Sequence, residues 1–180
     1  MPSPSAHIAF AVVALDTVLT PGPNLIYLVS RSITQGVAAG LVLLAGVRWG
    51  FIVHLLAVAF GVTALLLAVP LAFDALRGAG ALYLVYLAWQ SVKSGGRSPI
   101  EVTRLPVDPP ARLFAFGFLT NVLNSKVAVL YLSLLPQFFD PSRGNVLCQG
   151  LVLGIIQICV SLSVNVTIAA SSGSVAVFFV

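Results

Sequence analysis

Thr20-Pro21-Gly22-Pro23-Asn24 interrupts an apolar run from Ile8 to Val29 that is otherwise long enough to cross a bilayer. Two prolines and a glycine inside such a helix leave backbone N–H and C=O groups without helical partners. In hydrocarbon each unsatisfied group costs several kcal/mol, so irregular backbone at that depth persists only where protein or trapped water satisfies it. A second interruption, Asn121-Val122-Leu123-Asn124-Ser125-Lys126, stands in another apolar run. Broken helices at matching positions in two halves of a membrane chain point to a transport site. The rest of the chain reads as scaffold around this pair.

Composition supports a membrane setting. Of 180 residues, 59% are hydrophobic and 8% charged, against about 25% charged in a soluble domain. Lipid must therefore cover much of the surface. The net charge of +4 does not read as a nucleic-acid footprint, because no basic stretch carries interleaved aromatics. Met1 to His7 contains no Lys or Arg, so the first apolar run is expected to stay as a helix and not to act as a secretory signal. Cys148 and Cys159 fall on one expected helix, about 16 Å apart along its axis. That separation excludes a disulfide between them.

The expected fold is all-α: a polytopic membrane bundle with five spans, arranged as an inverted repeat with two broken helices. The spans cover about 6–30, 38–66, 71–92, 113–136 and 146–170. Arg31 and Gln35-Gly36 read as a short polar turn. Gly36, Gly40, Gly46 and Gly50 give small faces where helices can approach closely. Residues 1–92 form a first half of three spans. A breaker-rich linker, 93–112, separates it from a second half, 113–180, of two spans plus a short C-terminal stub. The linker holds Lys93, Arg97, Arg104 and Arg112, which places it in the cytoplasm. Counting back puts the Arg31 turn inside and the N-terminus outside. The count of three spans against two leads us to expect that a sixth span has been lost.

The breaks supply the candidate site. Pro23 suits the first position of a half-helix, where a missing N–H costs nothing. Asn124 or Ser125 can cap the second half-helix. A helix N-terminus offers free N–H groups and partial positive charge to a carboxylate. Thr20, Pro21, Gly22, Pro23, Asn24, Asn121, Asn124 and Lys126 are the expected binding residues for a small zwitterion. The alternative is that the prolines only kink the helix and the asparagines satisfy the kink. Asp16 precedes the first break, and an intramembrane carboxylate is a functional candidate. It either pairs with a substrate amine or Arg48, carries a coupling proton, or lies wet at the outer face. His54 has the titration range of a proton relay, or is hydrogen-bonded to a neighbour. Lys126 either neutralises a substrate carboxylate, answers Asp16, or snorkels to the interface.

Enzyme signatures are absent: no H-E-x-x-H, no G-x-S-x-G, no phosphate loop. With two histidines and five acids, a metal centre is hard to assemble, and no metal or cofactor is expected. Ser133 or Ser161 as a nucleophile finds no His or Lys partner by spacing.

Thr20-Pro21-Gly22-Pro23-Asn24, then Ser30-Arg31-Ser32, Gln35-Gly36 and Gly46 to Gly50 with His54, resembles the start of the lysine exporter (LysE/RhtB-type) family, in its homoserine/threonine and leucine efflux branch. Gly80 to Trp89 is similar to its third span. Phe116-Gly117-Phe118, Asn121 to Lys126 and Leu135-Pro136-Gln137-Phe138 are similar to its second-half motif. The likeness covers about residues 8 to 160. It implies a bacterial inner-membrane exporter of amino acids or related metabolites, driven by proton antiport, with a homodimer as the proposed assembly. The substrates implied include threonine, homoserine, lysine, arginine, leucine and cysteine-pathway compounds. The chain departs from the pattern where Ser125 replaces the usual proline, at Arg48, at Phe51 and in its length. Two alternatives stay open: a shortened, non-transporting relative, and a passive channel on the same scaffold.

Overall fold

The computed structural model describes residues 2–68, 82 and 107–176. Six α-helices carry the described fold, with no strand among these residues: α1 Pro4–Leu19, α2 Pro23–Gln35, α3 Val37–Ala68, α4 Pro110–Val122, α5 Ser125–Val129 and α6 Val146–Ala176. After α5 the helix loosens into a π turn, Leu130–Leu134, and tightens into a 3₁₀ turn, Leu135–Phe138. The expected third span, 71–92, lies outside the described residues apart from Leu82.

Prolines set the element boundaries. Ser3 caps α1, its hydroxyl accepting from the Ala6 N–H at 3.2 Å with Pro4 at the first turn. A residue before proline is pushed out of the helical region. Thr20, before Pro21, is accordingly extended (φ −66°, ψ 123°), and Gly22, before Pro23, is extended too. Two such constraints in succession separate α1 from α2 with a bend of 57°. The second break has no proline. Asn124 stops the ladder instead, because its side chain accepts the Lys126 N–H at 3.0 Å and starts a new helix. The bend there is 48°. A break without proline is thus similar in size to the one that two prolines make.

Pro109 and Pro110, read as linker breakers, become the N-cap and first residue of α4. The helix thus begins inside the stretch assigned to the linker. Arg31 likewise differs from its reading as part of a polar turn. It lies within α2 and is 5% exposed. The turn is confined to Gly36, whose φ of 85° favours glycine.

α3 and α6 are each long and apolar enough to cross a membrane, and each bent pair passes the same test as a unit. The described residues thus hold up to four spans in the order broken pair, long helix, broken pair, long helix. The interior is filled by Phe10, Leu28, Leu43, Val47, Phe51, Leu130, Tyr131 and Leu153. The outer surface is apolar as well. Ile8, Val12, Leu15 and Leu19 form an exposed stripe on α1, and Trp49, Val53, Leu56 and Phe60 one on α3. Apolar residues on both sides are the pattern of a bundle coated by lipid.

α3 and α4 meet backbone to backbone. A Cβ added to Gly46 would collide with the Phe114 carbonyl, and one added to Gly117 with the Leu43 carbonyl. The two glycines are reciprocal notches, each receiving the other helix's main chain.

Candidate functional site between the two breaks

The breaks converge on one cavity, lined by residues of α1, α2, α3, α5 and α6. Thr20, Gly22 and Asn24 reach it from the first break, Asn124 and Lys126 from the second. Leu28, Leu44, Val47, Phe51 and Leu130 make its apolar wall.

Local geometry explains how each break presents its groups. The Thr20 N–H and hydroxyl both bond the Asp16 carbonyl, at 3.0 and 2.9 Å. The Thr20 carbonyl has no helical partner, because α1 ends there. The Lys126 ammonium donates to it at 2.6 Å. The same ammonium lies 3.6 Å from where a Cβ on Gly22 would stand. A cation at the carbonyl end of α1 also meets the negative end of that helix's dipole. On the other side of the break, α2 starts without a side-chain cap. Gly22 has no side chain to offer, and Pro23 needs no partner. The amides of Asn24 and Leu25 are the orphan donors of that terminus, and both residues line the cavity. Asn24 Oδ1 is buried without a partner.

Lys126 is the single charged residue lining the cavity among the described residues. Asp16 is exposed and outside the lining. No ion pair joins Asp16 to Arg48. The Pro21 and Pro23 rings are exposed and do not line the cavity. They shape the break and leave its surface to their neighbours.

Asn121 and His54 lie behind the cavity wall. Asn121 is fully buried under Gly50, where a Cβ would sit 2.6 Å from its Oδ1, and neither amide atom finds a partner. His54 Nε2 is 3.3 Å from the Asn121 carbonyl. Its ring stacks on Tyr131, with centroids 5.8 Å apart. The Tyr131 hydroxyl in turn donates to Gln157 Oε1 at 2.6 Å, and Gln157 lines the cavity. A contact path from His54 to the cavity thus runs through Tyr131 and Gln157.

Besides Thr17 of α1, three polar lining residues were not among the expected binding residues: Gln157, Ser161 and Asn165 of α6. Their spacing of four residues on an apolar helix is the signal that finds them, since i and i+4 share a face. Another missed residue is Asp108, just before α4. It is 4% exposed and forms an ion pair with Arg31. Arg112 Nη1 approaches its other oxygen at 3.2 Å. Tyr27 donates to the same carboxylate at 3.4 Å, and Gln35 to the Asp108 carbonyl at 3.1 Å. This cluster ties the C-terminal turns of α2 to the start of α4, beyond the cavity's Leu28.

The family described as LysE type translocator matches residues 15–179. Among curated relatives, the chain is 32% identical to a homoserine/homoserine lactone efflux protein of Salmonella typhimurium, over 86% of this chain and 75% of the relative. It is 31% identical to an uncharacterized membrane protein of Vibrio cholerae, over 85% and 74%. It is 30% identical to a leucine efflux protein of Salmonella choleraesuis, over 73% and 62%. No solved structure matches the chain.

Proposed function

The chain belongs to the LysE type translocator family, and on that premise we propose that it exports a small amino acid, bound between the two breaks, in exchange for protons. Membership makes it a multi-pass bacterial membrane translocator and not an enzyme. The amino-acid cargo is inferred from the efflux relatives and from the cavity's chemistry.

The observation that carries this reading is the bond from Lys126 to the Thr20 carbonyl. It spans both breaks at a cavity that Asn24 and Leu25, whose amides are orphan donors of the α2 terminus, also line. A substrate carboxylate suits those amides and the lysine ammonium. A substrate ammonium suits the Thr20 carbonyl once Lys126 turns to the carboxylate. Binding is then an exchange of partners: the lysine gives up an internal acceptor and the substrate supplies both replacements. Asp16, at the mouth, and His54, behind Tyr131, are the candidate coupling groups.

In this reading the two halves are an inverted repeat in the inner membrane, with the N-terminus outside and alternating access around the cavity. The meeting of Arg31 and Arg112 at Asp108 supports it, because both arginines then share the cytoplasmic end. A homodimer belongs to the same reading and is checked by cross-linking in native membranes.

Efflux from proteoliposomes loaded with a panel of labelled amino acids, with and without an imposed proton gradient, tests the function. Saturable, gradient-driven, uphill movement is expected. Flux that only equilibrates and ignores the gradient would make the protein a passive channel. No movement of any amino acid by inserted protein would overturn the exporter reading.

A further inference from the structure

We infer that Gln157, Ser161 and Asn165 form the wall that selects the substrate side chain, and that this wall favours an uncharged group able both to donate and to accept a hydrogen bond, a hydroxyl or a carboxamide. The inference rests on the proposed export function and deepens it by naming the cargo's side-chain class.

Each of the three residues commits part of its hydrogen-bonding capacity within the protein. Gln157 is 1% exposed, and its Oε1 accepts from the buried Tyr131 hydroxyl at 2.6 Å. That bond fixes the amide and leaves the Nε2 donor for the cavity. Asn165 turns its Nδ2 back to Ser161, 2.8 Å from the carbonyl and 3.1 Å from Oγ. Its Oδ1 acceptor remains. Ser161, also 1% exposed, accepts from Asn165 and so keeps its own proton to give. Along the face α6 turns to the cavity, the free functions therefore read donor, donor, acceptor. Across the space stands Asn24 of α2, whose Oδ1 is buried without a partner.

A purely structural stripe would use both ends of each amide to tie helices together. Here each amide is held at one end and left open at the other, which is the arrangement of an oriented recognition group. The alternatives are distinguished by cost. An aliphatic side chain would desolvate these groups and return nothing, so the site rejects it. A cationic side chain would find Lys126 and no lining carboxylate among the described residues. A hydroxyl or carboxamide satisfies donor and acceptor together.

The test compares near-isosteric pairs in proteoliposome efflux: threonine against valine, and asparagine against leucine. The wild type is expected to favour the polar member of each pair in kcat/KM by more than about tenfold. Ser161→Ala, Gln157→Leu and Asn165→Leu should each draw that ratio towards one, with flux of the apolar member retained or raised. Tyr131→Phe removes only the hydroxyl that orients Gln157 and should lower the ratio severalfold, which keeps the test available if a wall variant fails to insert. A wild type indifferent within each pair would overturn the inference while leaving the exporter standing. So would variants that slow both members equally. Transport of no amino acid at all would overturn both.

Discussion

The Lys126 ammonium, one residue past the start of α5, donates at 2.6 Å to the Thr20 carbonyl that ends α1. Each break thereby completes the other: one frees an acceptor, the other carries the donor that satisfies it. The two interruptions are a single structural unit, although about a hundred residues separate them in the chain.

Replacing Lys126 tests that unit. Lys126→Met keeps the length and apolar stem but strands the Thr20 carbonyl. Transport efficiency is expected to fall about tenfold to a hundredfold, the worth of one hydrogen bond to a charged group. Lys126→Arg should retain part of it. Initial rates in proteoliposomes measure both, and an unimpaired methionine variant would remove the lysine from the mechanism.

The two asparagines of the second break should separate cleanly. Asn124 caps α5 and lines the cavity, so Asn124→Ala should cost about 0.5–2 kcal/mol of stability and raise KM. Asn121 faces Gly50 behind the wall, so Asn121→Ala should leave KM within about twofold of wild type. Melting curves with saturation kinetics read both quantities. Equal KM effects would mean that both amides touch substrate.

The Asp108 cluster allows a contrast of magnitudes. Asp108 and Arg31 are both nearly sealed, with side chains 3% and 6% exposed. Asp108→Ala removes the buried carboxylate that pairs with Arg31 and should cost about 3–5 kcal/mol. Arg112, 60% exposed in its pair, should cost less than about 1 kcal/mol on truncation. Thermal unfolding of the two single variants in detergent decides; similar losses would refute the burial argument.

Acid should weaken the loop before α6. The hydrogen bond from the Ser142 hydroxyl, with the Ser142 N–H and the Arg143 charge, holds the Asp140 carboxyl below its usual range. A depressed folded value means that the contribution is whole above the ordinary carboxylate range and disappears as pH falls through the depressed one. Asp140→Asn should therefore lower Tm near neutrality and converge with wild type in strong acid. A gap that persists at the lowest pH would point to packing as its source.

Much of the fold was legible because its determinants are local. The constraint that proline places on the residue before it predicts the extended Thr20 and Gly22 without reference to any neighbour. Asn124 was legible as a cap for the same reason. Facing was not. Asn121 and Asn124 stand close together in the sequence, yet only Asn124 reaches the cavity, because Gly50 of another helix opens the space that takes Asn121. Asp108 was hidden by its surroundings: a carboxylate in a proline-rich stretch reads as solvated until Arg31, far along the chain, folds onto it. The α6 stripe of Gln157, Ser161 and Asn165 was readable by periodicity, but its meaning depends on Tyr131 and on the cavity opposite.

The reciprocal notches at Gly46 and Gly117 constrain relative movement of α3 and α4. With each helix's main chain seated in the other, α3 and α4 cannot slide without lifting a backbone out of its seat. In the proposed inverted repeat α3 belongs to the first half and α4 to the second, so the seam joins a piece of each half. If access alternates as proposed, then among the described helices α1, α2, α5 and α6 are the ones that lie outside this seam, and the division by movement would not follow the division by repeat.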